Sequence, residues 1–231
     1  RDYGAVLNDG IDDSDAVQAA IDAADASRWN GTVYFPPGVT TLARPVEMSQ
    51  FVSLLGAGMP GKTGGSILRA KASAELTSML WGRDPAVRFL SIEHLTFDGN
   101  GLEIPWIIDF EDAINLRIAN VRIENVRGGG IRQLRSDGDP CWVNFYENIE
   151  IEIRDHSGIG FIHGDSDSHL ADLRVSGADV GILEIDGGAN LYRNCVVSNC
   201  MTGMVLADGA DWRHANSVCD SIFRDNVNYG L

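Results

Sequence analysis

The chain has 231 residues, of which 44% are apolar, enough for one sizeable core, and a net charge of −15. That acidity, with only two lysines (Lys62 and Lys71), argues against a nucleic-acid partner, which needs basic patches. No apolar run reaches eighteen residues, so no membrane-spanning helix is expected.

In chain order, Asp12-Asp13-Ser14-Asp15 precede Ala16, Val17, Ala20, Ile21 and Ala24. This is an apolar stripe at helical spacing with acidic residues at its N-terminal end. It predicts a helix from about Ser14 to Ala26, within a cap formed by residues 1–30. Next come a strand within Gly31–Gly38, stopped by Pro36-Pro37-Gly38, and short strands at Val39–Leu42, Val52–Leu55 and Ser66–Leu68. Gly56-Ala57-Gly58-Met59-Pro60-Gly61-Lys62-Thr63 matches the phosphate-loop pattern, but a turn and a strand follow it where that pattern requires a helix. It reads as a glycine-rich corner. Val87–Phe97 carries the first clear repeat.

Four later segments superpose on one another: Asn120–Asn125, Asn148–Asp155, Asp172–Gly177 and Asn194–Asn199. Each has two apolar residues one apart, and each is followed by a glycine and an apolar residue: Gly130-Ile131, Gly160-Phe161, Gly181-Ile182 and Gly203-Met204. The steps from Ile123 to Ile153, Val175 and Val197 are 30, 22 and 22 residues. Strand-like alternation at such a period marks a solenoid, because one repeat cannot bury its own apolar face. The expected fold is all-β: a right-handed, single-stranded parallel β-helix over residues 31–231, one domain, its open end covered by the N-terminal helix. Steps above 22 residues read as insertions, the largest at Gly101–Ala113 with Trp106 and at Ser136–Val143 with Trp142. The Asn125/Asp155/Asn199/Asp225 column reads as a structural ladder at a corner. Of Cys141, Cys195, Cys200 and Cys219, Cys195 falls at an inward position and reads as a buried thiol. The chain stops at Leu231, where another strand should begin, so further coils or a covering partner are expected.

Asp2-Tyr3-Gly4-Ala5-Val6, Asn8-Asp9-Gly10, Asp12-Asp13-Ser14, Gly31–Gly38, Leu55-Gly56-Ala57-Gly58 and Leu95–Asn100 resemble the opening of the pectate-lyase-like β-helix superfamily. The resemblance implies carbohydrate as ligand: a polysaccharide lyase, a glycoside hydrolase, an epimerase, or a phage tail-spike module. It also implies an extracellular or virion-tail setting and a homotrimer in the tail-spike case. The mannuronan epimerases carry Tyr-Gly-Phe-Asp-Pro-His on their active strand. The matching stretch here is Ile159-Gly160-Phe161-Ile162-His163-Gly164, with the tyrosine and aspartate gone and the histidine one place early. No Asp-Asp pair followed by Gly-His-Gly, the polygalacturonase pattern, is present.

Counting from each repeat glycine, the third and fifth residues are Gln133/Arg135, His163/Asp165, Glu184/Asp186 and Leu206/Asp208. Residues two apart on a strand share a face. With Ile162, Leu183 and Val205 inward, these residues would line one outer wall, on coils about 4.8 Å apart. His163, Asp165, Glu184, Asp186 and Asp208 are then the candidate catalytic groups. They offer a carboxylate pair for glycoside hydrolysis, an Arg135 or His163 base for a lyase, or a Ca2+ site. Gln133, Arg135, Trp106, Trp142 and Trp212 are the candidate sugar contacts. In the other register Ile131, Phe161, Ile182 and Met204 point inward, and His163 and Glu184 become a buried polar stack that is costly unless paired.

Overall fold

The computed structural model describes residues 3–27, 31–58, 64–82, 87–135, 142–207 and 216–228. These form a right-handed, single-stranded parallel β-helix. One wall is a seven-stranded sheet of Val46–Glu47, Ser78–Gly82, Trp106–Glu111, Ile131–Leu134, Ile159–His163, Val180–Ile185 and Thr202–Ala207, stacked in chain order. The opposite wall is a bent fourteen-stranded sheet. Its spine includes Ser91–Glu93, Arg117–Gly128, Phe145–Ile153, His169–Ser176 and Leu191–Arg193.

Asparagine and aspartate shape the bends. The turn within the bent sheet falls at Asn120, Asn148, Asp172, Asn194 and Asp220, all with φ between 51° and 57°. A second column, Asn125, Asp155, Asn199 and Asp225, has φ between 53° and 62°, and Gly177 joins it. Short polar side chains tolerate this left-handed backbone better than most L-residues do. The expected corner ladder is therefore present. Asn125 donates to Asp98 at 3.2 Å and accepts from Arg154 at 2.6 Å. The remaining corner has Phe51, Phe89 and Val143 in the same conformation, and a β-branched residue there is strained.

Inside, identical positions stack coil upon coil. Ile108, Ile131, Phe161, Ile182 and Met204 form one fully buried row. Phe97, Ile123, Ile151, Val175 and Val197 form another, from the bent sheet. Each such side chain contributes about 1.5–3 kcal/mol by leaving water. The segment 101–113 corrects the reading of an inserted loop. It holds the strands Glu103–Ile104 and Trp106–Glu111, and Ile108 pairs with both Leu80 and Ile131. The glycine-rich stretch around Gly56 ends a strand, and the strand Ser66–Ala70 follows it; residues 59–63 lie outside the described set.

The helix runs Ser14–Asp25 and buries Val17 and Ile21 against the first coil. It lies so close that a Cβ on Gly31 would come 2.5 Å from the Ala24 Cβ. Two carboxylates tie its start to the strand Gly38–Leu42 and the residues just beyond. Asp13 accepts from the amides of Val6 (2.9 Å) and Thr41 (3.1 Å). Asp12 accepts from those of Ser14 (2.9 Å) and Ala43 (3.0 Å) and from Arg44 (3.1 Å). Burial pushes the Asp12 carboxyl up, but these bonds and that from the Ser14 hydroxyl outweigh it and hold the pKa down to about 2. Among the described cysteines, Cys195 and Cys200 are buried free thiols whose pKa burial raises, and Cys219 is half-buried and free. Cys141 lies outside the described residues.

Candidate functional site

The seven-stranded sheet decides the register. Gln133, His163 and Glu184 pair directly across neighbouring coils and are 0%, 0% and 2% exposed; Asp165 is 1% exposed. They point into the solenoid, in the second of the two registers, beside the inward row of Ile131, Phe161 and Ile182. The catalytic wall proposed for His163, Asp165 and Glu184, with Gln133 as a sugar contact, is corrected accordingly: no polysaccharide reaches these groups. The physical cause is that both faces of these strands are apolar, so alternation could not say which face was buried.

His163, Asp165 and Glu184 belong to a buried polar network. Tyr192, from the bent sheet, gives its hydroxyl proton to Glu184, and Asn216 donates to the other carboxylate oxygen. Burial, followed by the Glu184 charge, pushes the Tyr192 pKa far up, so the phenol keeps its proton. The His163 Nδ1 lies 3.2 Å from the Tyr192 oxygen, and Nε2 pairs with Asp165. The second Asp165 oxygen accepts from Asn144 and from the Ser168 hydroxyl at 2.8 Å. Behind the network runs a buried ladder. The Leu116 amide donates to Asn144, that of Asn144 to Ser168, that of Ser168 to Asn190, and that of Asn190 to Asn216, at 2.8–3.0 Å. Gly187 lies over the network; a Cβ there would sit 2.5 Å from the Asp165 carbonyl oxygen and 2.9 Å from the Glu184 carboxylate.

The outer face of the same sheet carries different groups. Across adjacent coils, Glu47, Trp81, Asp109, Arg132, Ile162, Leu183 and Val205 stand in one row. Arg132 binds Asp109 through Nε at 2.6 Å and Glu111 through its second nitrogen at 2.8 Å. All three are part-buried, with side-chain exposures of 19%, 10% and 29%. Trp81 lies next to Asp109 in register and is half-buried. Beyond Arg132 the face turns apolar through Ile162, Leu183, Val205, Leu134 and Ile185. Asp109 and Glu111 are not among the sequence candidates, because residues 101–113 read as an inserted loop. The signal was there: Ile108 to Ile131 is a 23-residue step, an ordinary coil.

The other candidates fall at the edges. Arg135 and Asp186 are exposed where their strands end, Trp142 is 49% exposed, and Trp106 is half-buried with its ring against Gly129. Asp208 and Trp212 lie outside the described residues. Among the described residues no three His, Cys, Asp or Glu side chains converge as a metal site, and Asp165 and Glu184, considered for Ca2+, are bonded to protein donors. Two concavities lie at the N-terminal end, about 630 Å³ beside the helix and about 670 Å³ beside Lys71. Neither includes the outer face of the seven-stranded sheet.

Residues 1–228 match the family model described as rhamnogalacturonase A/epimerase, pectate lyase-like. The chain belongs to that family. Within the pectate-lyase-like family it is 32% identical over 198 residues to mannuronan C5-epimerase AlgE6 of Azotobacter vinelandii, a match covering 77% of this chain and 20% of that protein. It thus spans about a fifth of the curated relative. The A-module of mannuronan C-5 epimerase AlgE4 from the same organism superposes with a TM-score of 0.69 at 22% identity, over 96% of this chain and 62% of that one. The tailspike protein of E. coli bacteriophage HK620, in a mutant form solved with a pentasaccharide, superposes with a TM-score of 0.63 at 12% identity, over 96% and 47%. Such low identities show a shared fold.

Where the epimerase motif has its aspartate and histidine, this pectate-lyase-like chain has Ile162 and Gly164. Ile162 is in the outer row, and a Cβ on Gly164 would meet Leu134 and Ile185. His163, one place early, is turned into the core. A shift of one residue along a strand reverses the face, so His163 does not substitute for the motif histidine.

Proposed function

We propose that the chain is the β-helix module of a polysaccharide-processing protein, and that a linear glycan lies along the outer face of the seven-stranded sheet, over Trp81, Asp109, Glu111 and Arg132. The observation that carries this reading is the part-buried Arg132–Asp109–Glu111 cluster beside Trp81. An indole offers a flat apolar face to a sugar ring, and the charged groups offer directional hydrogen bonds to its hydroxyls. Arg135, Asp186 and Trp142 serve as edge contacts. The setting on this reading is extracellular or on a virion tail, where such polymers are met.

A second reading is glycan recognition without cleavage, in the manner of a tail-spike module, with a homotrimer as its natural assembly. Arg132 favours it. Its guanidinium occupies an oxygen of each carboxylate, at 2.6 and 2.8 Å, where a cleaving pair would have to face the glycosidic bond.

The test is a depolymerisation and binding screen over neutral glycans, polyuronates and bacterial capsules, with wild type, Trp81→Ala and Asp109→Asn. Loss of binding in Trp81→Ala and loss of new reducing ends in Asp109→Asn are expected. Binding without product in the wild type selects the second reading. Binding that neither variant alters refutes the placement on this face.

A further inference from the structure

The charge on this face specifies the kind of polymer. Within the outer face of the seven-stranded sheet, the described residues provide three carboxylates, Glu47, Asp109 and Glu111, and one cation, Arg132. That cation is already held between two of the carboxylates. The next coils add an apolar floor, Ile162, Leu183 and Val205, with Leu134 and Ile185 beside it. A polyuronate would lay one carboxylate per sugar along this row. Each would meet like charge at one end and an apolar strip at the other, with Arg135 exposed at a strand exit. Burying an unpaired carboxylate against an apolar strip costs several kcal/mol. A neutral sugar avoids that cost: its C–H face covers Ile162, Leu183 and Val205 while its hydroxyls reach Arg132 and the carboxylates.

We infer that the face selects an uncharged glycan and that, if the bond is cut, it is cut by hydrolysis. The inference rests on the site proposed above. A neutral sugar has no carboxylate at C5 to acidify the neighbouring proton, so β-elimination and C5 epimerisation are unavailable to it. Hydrolysis consumes one water. The glycosidic C–O bond breaks, the water's hydroxyl goes to the anomeric carbon, and a proton goes to the leaving oxygen.

The experiment compares binding of this chain to mannuronan and homogalacturonan oligomers with binding to α-1,3-glucan, dextran and xylan oligomers, at low and high salt. The proteins are wild type, Trp81→Ala and Arg135→Ala, each checked for its fold by circular dichroism. The inference expects at least one neutral oligomer to bind about tenfold or more tightly than either uronate at low salt, with the gap narrowing as salt screens repulsion. It also expects Trp81→Ala to lose the neutral ligand. A uronate that binds best, weakens with salt and is lost in Arg135→Ala overturns the inference but leaves a glycan site on this face. Binding of a neutral oligomer that survives Trp81→Ala overturns the site itself, and silence on every oligomer overturns both.

Discussion

Replacing His163 with alanine separates an interior role from a catalytic one. His163 is fully buried, and its Nε2 is the partner of Asp165, itself 1% exposed. The alanine leaves Asp165 with Asn144 and Ser168 but without its imidazole partner, and breaking one side of a buried pair costs about 3–5 kcal/mol. Tyr192 loses its contact with Nδ1 yet still donates to Glu184, so that part of the network adds little. We expect His163→Ala to lower the unfolding free energy by about 4 kcal/mol. At about 2–4 °C per kcal/mol for a chain of this size, the melting temperature falls by roughly 8–16 °C. Urea unfolding followed by tryptophan fluorescence gives the first number, and calorimetry the second. A cycle adding Asp165→Ala should show a coupling above about 1 kcal/mol, because neither single change removes both halves of the pair. A His163→Ala protein within about 1 kcal/mol of wild type that has lost glycan turnover would refute the interior assignment.

Asp12 gives the cap a defined acid limit. Its folded pKa of about 2 lies below the ordinary carboxyl value of 3.8, so its stabilisation is complete above that value and is lost as pH falls through 2. Discounted for partial exposure, Asp12→Ala should cost about 1–2 kcal/mol at neutral pH, a cost that shrinks below about pH 4 and is largely gone only below about pH 2, read by helical circular dichroism across an acid titration. Gly187→Ala should destabilise by about 2 kcal/mol or more, because its Cβ would press on the Asp165 carbonyl and the Glu184 carboxylate. Equal melting temperatures for Gly187→Ala and wild type would contradict that packing.

The bends were legible in the sequence because they are local. An asparagine or aspartate such as Asn125, Asn199 or Asp225 can hold a positive φ regardless of what packs against it. The helix was legible too, from its 3.6-residue stripe ending in Ala24. The facing of the Ile159–His163 strand was not, because Phe161 and Ile162 are equally apolar and only the neighbouring coils decide which is inside. The outer cluster was hidden for a related reason. Asp109 and Arg132 are 23 residues apart in sequence, and they become neighbours only once Trp106–Glu111 is seen to be a strand paired with Ile131–Leu134. Tyr192 and Asn216 lie outside every segment that the sequence pattern marks, so the partners that make a buried Glu184 tolerable could not be named in advance.

The interior network also acts on how the chain finds its register while folding. Stacked coils with interchangeable Ile, Val and Leu rows could slide past one another by two residues and still keep an apolar face inward. Such a slip would set His163 against a neighbour other than Glu184 and strand Asp165 among hydrocarbon side chains, with a penalty far above that of a mispaired isoleucine. The polar column thus gives the coils from Ile131 to Ala207 an address that their repetitive sequence lacks, so wrong stackings are penalised before the solenoid closes.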